Sequence, residues 1–411
     1  MTIHAMRTSV ALTLMLLLVA CSQLSTTPTA PATAAATTPT STEPTAASST
    51  PTDSPVSAGV LPAPLLFVND QNDIDRLDVD GSTVTTVADE QGLIFDFAIS
   101  PTGDVLAYLT FLTDGTNTLI RANTDGSGRT ELARGIIRGV TVADDGSVQA
   151  GMLFDVTGAN AAALASGAWS FPADGGDPRL LVAATEPMSS GGKTTPGSHY
   201  EPIAWAPDGS RLLLRATMNM GPDGPGGDIA STGVALYDVG SGQARDLLPL
   251  GMEPLCMVPV WSRDGDTILC ANGANVDPTT PPLWRLDLTS GDQQPIIPVG
   301  ASTDQILSPR ELADGIYLLV AESSASLAQQ FMLQRIAPDG TISALLPQPI
   351  EAGYDGGLWA PDGSGIIVGR PTASANRTII WQPLGSDQTG TAGEPIELLS
   401  GSIGKLEWIG R

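Results

Sequence analysis

Histidine is nearly missing from this 411-residue sequence: His4 and His199 are the whole set, beside three cysteines, Cys21, Cys256 and Cys270. A zinc centre draws three or four such donors together, so a site of that type is nearly excluded and no metal is expected. Cationic side chains are also scarce, with 19 Lys and Arg against 44 Asp and Glu and a formal charge of −25. No basic cluster offsets that charge, which repels nucleic acid and anionic lipid surfaces. Gly-x-Ser-x-Gly does not occur, which removes the nucleophile elbow of an esterase or peptidase. Beyond the first twenty residues no long apolar run appears, and no helical period interrupts the rest.

Two fragments start towards ligand loops and stop short. Gly192-Lys193-Thr194 ends like a phosphate loop, but Pro187 holds the place of its first glycine. Asp78-Val79-Asp80-Gly81 reads like the start of a calcium loop, yet Arg76 and Val87 stand where its outer ligands belong. A strand and a turn are expected there, and no cofactor.

What is present begins with an address. Arg7 precedes the apolar run from Val10 to Ala20, too short for a stable span and of signal-peptide length. Leu18-Val19-Ala20-Cys21 resembles the lipobox of bacterial lipoproteins. That resemblance implies cleavage before Cys21 and lipid on its sulfur and new amine. The protein would then be membrane-anchored on the extracytoplasmic side of a bacterial cell envelope. Residues 1–20 are read as the signal peptide and 21–59 as a disordered linker of Thr, Pro, Ala and Ser. That composition cannot offset ordering entropy, and such a coil spans roughly 35 Å.

The domain expected over residues 60–411 is written in repeats. Trp205-Ala206-Pro207-Asp208-Gly209 joins two short apolar runs, and Pro, Asp and Gly in that order set a tight hairpin turn. Variants end at Gly103, Gly146, Gly265, Gly315 and Gly363. A second hairpin type alternates with these six, and the half-hairpins left over at each end complete one another. The strand around Trp408 would pair with Pro64–Val68. An all-β fold follows: a seven-bladed β-propeller closed by pairing of its terminal strands, with six or eight blades as the alternatives. Trp205, Trp261, Trp359 and Trp408 share one register and read as core facing the next blade.

The Trp-Ala-Pro-Asp-Gly and Trp-Ser-Arg-Asp-Gly turns resemble the WD40-like repeats of TolB-type periplasmic proteins, over essentially residues 60–411. The resemblance implies fold more than activity. A non-enzymatic lipoprotein is expected, whose propeller binds a protein or small ligand or acts as an envelope scaffold. The alternative is a carboxylate-based glycosidase or lyase, which would need Asp or Glu from different blades about 5 to 10 Å apart.

Function concentrates on long loops set on a rigid scaffold. Residues 185–201, 217–232, 250–255 and 272–282 are longer than the Asp-Gly turns and emerge on the opposite face. They make Lys193, His199, Tyr200, Met218 and Met220 the candidate binding face. Cys256 and Cys270 are either a disulfide, given export, or two buried thiols.

Overall fold

The computed structural model describes residues 59–158, 162–186, 188–190, 193–195, 197–219, 232–250, 256–273, 279–300, 304–321, 329–353, 356–372, 376–385 and 393–410. The signal peptide, Cys21, almost all of the linker and Met220 lie outside these residues. Every regular element described is a strand, every strand pairing is antiparallel, and the architecture is an all-β propeller.

Five sheets of four or five strands stand separately. The first joins Leu65–Val68, Ile74–Leu77 and Val84–Ala88 to Leu406–Trp408 from the far end of the chain, with Leu65 opposite Trp408. The others start at the strands Gly197–Trp205, Val258–Trp261, Gln305–Leu312 and Gly357–Trp359 and proceed outward in chain order. The seven separate blades expected from the repeats are not what is seen, because the strands between Leu93 and Ala183 form one continuous eight-stranded sheet. The cause is the 13-residue strand Thr130–Val142. Thr130–Gly135 pairs on one side with Asn117–Asn123, and Ala133–Val142 pairs on the other with Val148–Gly158. Register shifts at Ile136 and between Arg138 and Val140 bend the strand without breaking the ladder.

The turns follow their residues. Gly103, Gly146, Gly209, Gly265 and Gly363 each donate N–H to the carbonyl three residues back. All five hold φ between 69° and 80°, a region open to glycine at little cost. The sixth turn is tighter, with Leu312 directly opposite Gly315.

Sheets are apolar on both faces because each packs between two others. Gly315–Ala321 is buried at every position, whereas Gln243–Ala244–Arg245–Asp246, on an outer strand, is exposed throughout. Leu269 and Ala271 pack on Leu318 and Val320 of the following sheet, and Trp381 and Ile367 of the last sheet pack on Leu65 and Phe67 of the first. Each of the Leu, Ile, Val and Phe side chains among them stabilises by about 1.5–3 kcal/mol when taken from water. The tryptophans do face a seam, but towards the preceding sheet. Trp261 Nε1 donates to Ala204 O, Trp359 Nε1 to Ser308 O and Trp205 Nε1 to Gln149 Oε1.

Candidate functional site

Chain direction defines two faces. Asp-Gly turns join first to second strands on one; connections into each first strand emerge on the other. The chain enters on the Asp-Gly side, where Leu61 N–H donates to Val79 O and Val60 lies against Gly81.

The residues assigned to the loop face are only partly there. Residues 185–201 were expected to be loop, but Gly197–Trp205 is strand, paired over nearly its full length with Arg211–Asn219. The β-branched and aliphatic run after Arg211 is long enough to extend the hairpin past the expected loop. His199, opposite Thr217, is therefore 4% exposed and Tyr200 8%. Burial pushes the Tyr200 phenol up, aided by the Asp246 charge. Met218 is half-buried opposite Ser198, and Lys193 belongs to a small ribbon, Met188–Ser190 with Lys193–Thr195. Of the five, His199 and Tyr200 are buried and Met218 is half-buried, while Met220 lies outside the described residues. Asn272, assigned to another loop, is buried and accepts the Ile306 N–H at 3.0 Å, tying two sheets together.

Other residues occupy that face. Leu93 and Phe111 are directly opposed where the first two strands of the eight-stranded sheet end away from the Asp-Gly turn. They are 44% and 45% exposed. Phe95, extruded by the bulge between Ile94 and Asp96, and Ile136, at the bend of the long strand, are exposed as well. Met188 on the ribbon is 71% exposed. The sequence signal for Leu93–Phe95 was a short continuous apolar run that a buried strand also shows, so pattern alone could not single them out.

A charged group lies inward of this face. Lys405 Nζ donates to Asp96 at 2.8 Å and also to Phe97 O. Glu201 is directly opposite Arg215 on its hairpin. Gly139 and Gly151 let the long sheet approach it: a methyl on Gly139 would stand 3.3 Å from Glu201 Cβ, and one on Gly151 2.6 Å from Tyr200 O. Burial raises the Glu201 carboxyl pKa against the pull of Arg215 and Arg138, with Asp96 adding repulsion.

On the opposite face a hollow of about 790 Å³ gathers Asp144, Asp145, Asp174 and Asp177 of the long sheet with Asp208 of the next. Three of these carboxylates serve their own turns: Asp145 accepts Ser147 N–H, Asp174 accepts Gly176 N–H, and Asp208 accepts both N–H and Oγ–H of Ser210. Those bonds hold Asp208 below the usual carboxylate range. Among the described residues no group of His, Cys, Asp and Glu is arranged to hold a metal ion.

Solved structures share the fold. TolB from Acinetobacter baumannii aligns with 86% of this chain and 68% of its own at 12% identity, with a TM-score of 0.48. A structure from a study of two prolyl endopeptidases aligns with 85% of this chain and 50% of its own, at 12% identity and a TM-score of 0.50. The β-propeller domain of the Trilobed protease from Pyrococcus furiosus aligns with 79% of this chain and 86% of its own, at 11% identity and a TM-score of 0.44. No family model and no curated protein matches the sequence. At these identities the likeness is one of fold alone.

Proposed function

We propose that this chain is an extracytoplasmic lipoprotein, anchored through lipid on Cys21, whose propeller binds a protein or small ligand or acts as an envelope scaffold without chemistry of its own. In this reading the long strand Thr130–Val142 serves two blades, the ring counts seven, and the pairing of Leu65 with Trp408 closes it. The observation that carries the binding role is the exposed apolar group Leu93, Phe95, Phe111 and Ile136 on one face. Val60 and Leu61, among the first described residues, lie beside Gly81 and Val79 on the opposite side. Exposed apolar side chains gathered at one end of a rigid scaffold are a contact surface rather than a core.

Cys21→Ala should release the protein from membranes and abolish palmitate labelling; labelling unchanged by that substitution rejects the anchor. A Leu93→Ser/Phe111→Ser chain should fold as before yet capture no partner from detergent-solubilised envelopes. Capture that survives there but disappears with Asp144→Asn/Asp208→Asn places the contact on the other face.

A glycosidase or lyase is the second reading, favoured by the aspartates converging on the 790 Å³ hollow. It requires one carboxyl to carry a proton near neutrality, and Asp208, held low by Ser210, is unsuited to that role.

A further inference from the structure

The inward charged group is unbalanced. Asp96 is matched by Lys405 at 2.8 Å, which leaves Glu201 between two arginines. Arg215 opposes it across the hairpin, and Arg138 comes from the long sheet beside Gly139. Gly139 has φ +62°, and a methyl there would stand 3.0 Å from Pro202 O, so the two inner strands are in close backbone approach at this point. Even so, the Glu201 Oε1 atom is buried and accepts no hydrogen bond. Among the described residues, neither guanidinium is engaged in a salt bridge with it. A buried carboxyl oxygen left unpaired costs about 1–3 kcal/mol, which a bound group that meets it would offset.

We propose that this is an oxyanion-binding site, in which a sulfate, phosphate or carboxylate group sits between Arg138 and Arg215 and accepts a third hydrogen bond from the Glu201 carboxyl. Guanidinium forks suit such groups, taking two oxygens with parallel N–H donors. Arg138 is exposed, which gives a solute access, and Arg215 and Glu201 are half-buried behind it. Three cations, Arg138, Arg215 and Lys405, against Glu201 and Asp96 make the group locally positive in a chain of net charge −25. A local reversal of sign is what an anion site in an acidic protein needs.

The protonation state of Glu201 follows. The proton it donates is favoured by its burial, which raises the carboxyl above its ordinary range. Anion affinity should be full below the ordinary glutamate pKa and fall as pH rises through the raised one. The other charged groups on Glu201 are Arg215, Arg138 and Asp96, the last held by Lys405. His199, buried on the same side of the strand two residues earlier, is the remaining titratable neighbour.

The test is calorimetric titration of the full chain in detergent with sodium sulfate, whose charge is constant over the range, at fixed ionic strength between about pH 5 and about pH 8. Saturable binding at the acid end is expected, weakening towards the alkaline end. Arg138→Ala and Arg215→Ala should each lower affinity by about tenfold or more. Glu201→Gln, which keeps a donor without the charge, should bind at both ends alike. Parallel titrations with phosphate and succinate rank tetrahedral against planar oxyanions. Sulfate heats that do not saturate, or that are unchanged in both arginine variants, reject the site. A pH slope that persists in Glu201→Gln assigns the effect to His199 and rejects the role given to the carboxyl. Circular dichroism of each variant separates lost binding from lost fold, and Glu201→Gln, isosteric with the native residue, keeps the test decisive if an arginine variant fails to fold.

Discussion

The indole Nε1 of Trp408 donates to the carbonyl oxygen of Trp359 at 2.9 Å, and Arg310 Nη1 donates to the same oxygen at 3.1 Å. Trp408 belongs to the last strand and pairs with Leu65 of the first, so one side chain ties both ends of the chain to the neighbouring sheet. Its ring also meets Trp381 edge-on, with centroids 5.9 Å apart. Trp408→Phe keeps the packing and removes the donor, leaving Trp359 O with Arg310. We predict a loss of about 1 kcal/mol in urea denaturation, against about 3–5 kcal/mol for Trp408→Ala. Equal losses for the two would mean that the indole N–H, not its bulk, dominates.

Glu90 gives the protein a pH dependence with a definite sign. Its burial disfavours the charge, but Arg129 Nε at 2.6 Å and Nη2 at 3.0 Å, with the Tyr108 hydroxyl at 2.7 Å, outweigh that and hold the carboxyl below its usual range. Burial and the same carboxylate push the Tyr108 phenol up. A depressed carboxyl contributes stability above its unfolded pKa, about 4.3, and loses it as pH falls through the folded value. Glu90→Gln should therefore destabilise at neutral pH, with the difference from the native chain shrinking towards about pH 3. A constant difference across that range would disprove the linkage.

Much of the fold was legible because turn chemistry and strand alternation act locally. Asp208-Gly209 and Asp362-Gly363 form the hairpin turns their residues dictate, and Trp408 lies opposite Leu65 as the leftover half-strands implied. The eight-stranded sheet was not legible. Nothing in Gly135-Ile136-Ile137-Arg138-Gly139 distinguishes a strand that stops from one that bends and continues. The loop assigned to residues 185–201 fared worse for a related reason. His199 and Tyr200 follow a Gly/Ser/Thr-rich stretch that reads as loop, yet pairing with Thr217 and Ala216 carries the strand past them. The Arg138–Glu201–Arg215 group depends on how two sheets meet, and sequence separation hides it.

Gly151 tests that meeting. A methyl there would stand 2.6 Å from Tyr200 O and 2.8 Å from Arg138 O, both backbone atoms that cannot swing aside. Gly151→Ala must separate the two sheets, and overpacking of this kind costs about 1–3 kcal/mol. The expected readout is a lower melting midpoint together with weakened sulfate binding, since Arg138 and Glu201 move apart. Normal stability would show that the seam has slack.

Cys256 and Cys270 are joined by a disulfide, with Cα atoms 4.9 Å apart. Cys270 is opposite Pro259 in the hairpin, so Cys256 folds back from two residues before the strand to reach it. Both residues are buried, among Leu213, Ile268 and Trp284. Closing a loop of 14 residues limits the unfolded chain and stabilises by about 3 kcal/mol. We predict that alkylation of the unreduced, denatured chain adds no mass at either position and that reduction exposes both. In chemical denaturation a reductant should lower the midpoint of the native chain but leave that of Cys256→Ala/Cys270→Ala unchanged, because only the native chain has a bond to lose. The double variant should be the less stable of the two unreduced proteins, by the bond and by the small void left beside Trp284. Alkylation of both sulfurs without reductant would show two thiols, and equal stability of the unreduced native and variant chains would show that the bond constrains nothing the sheet does not already hold.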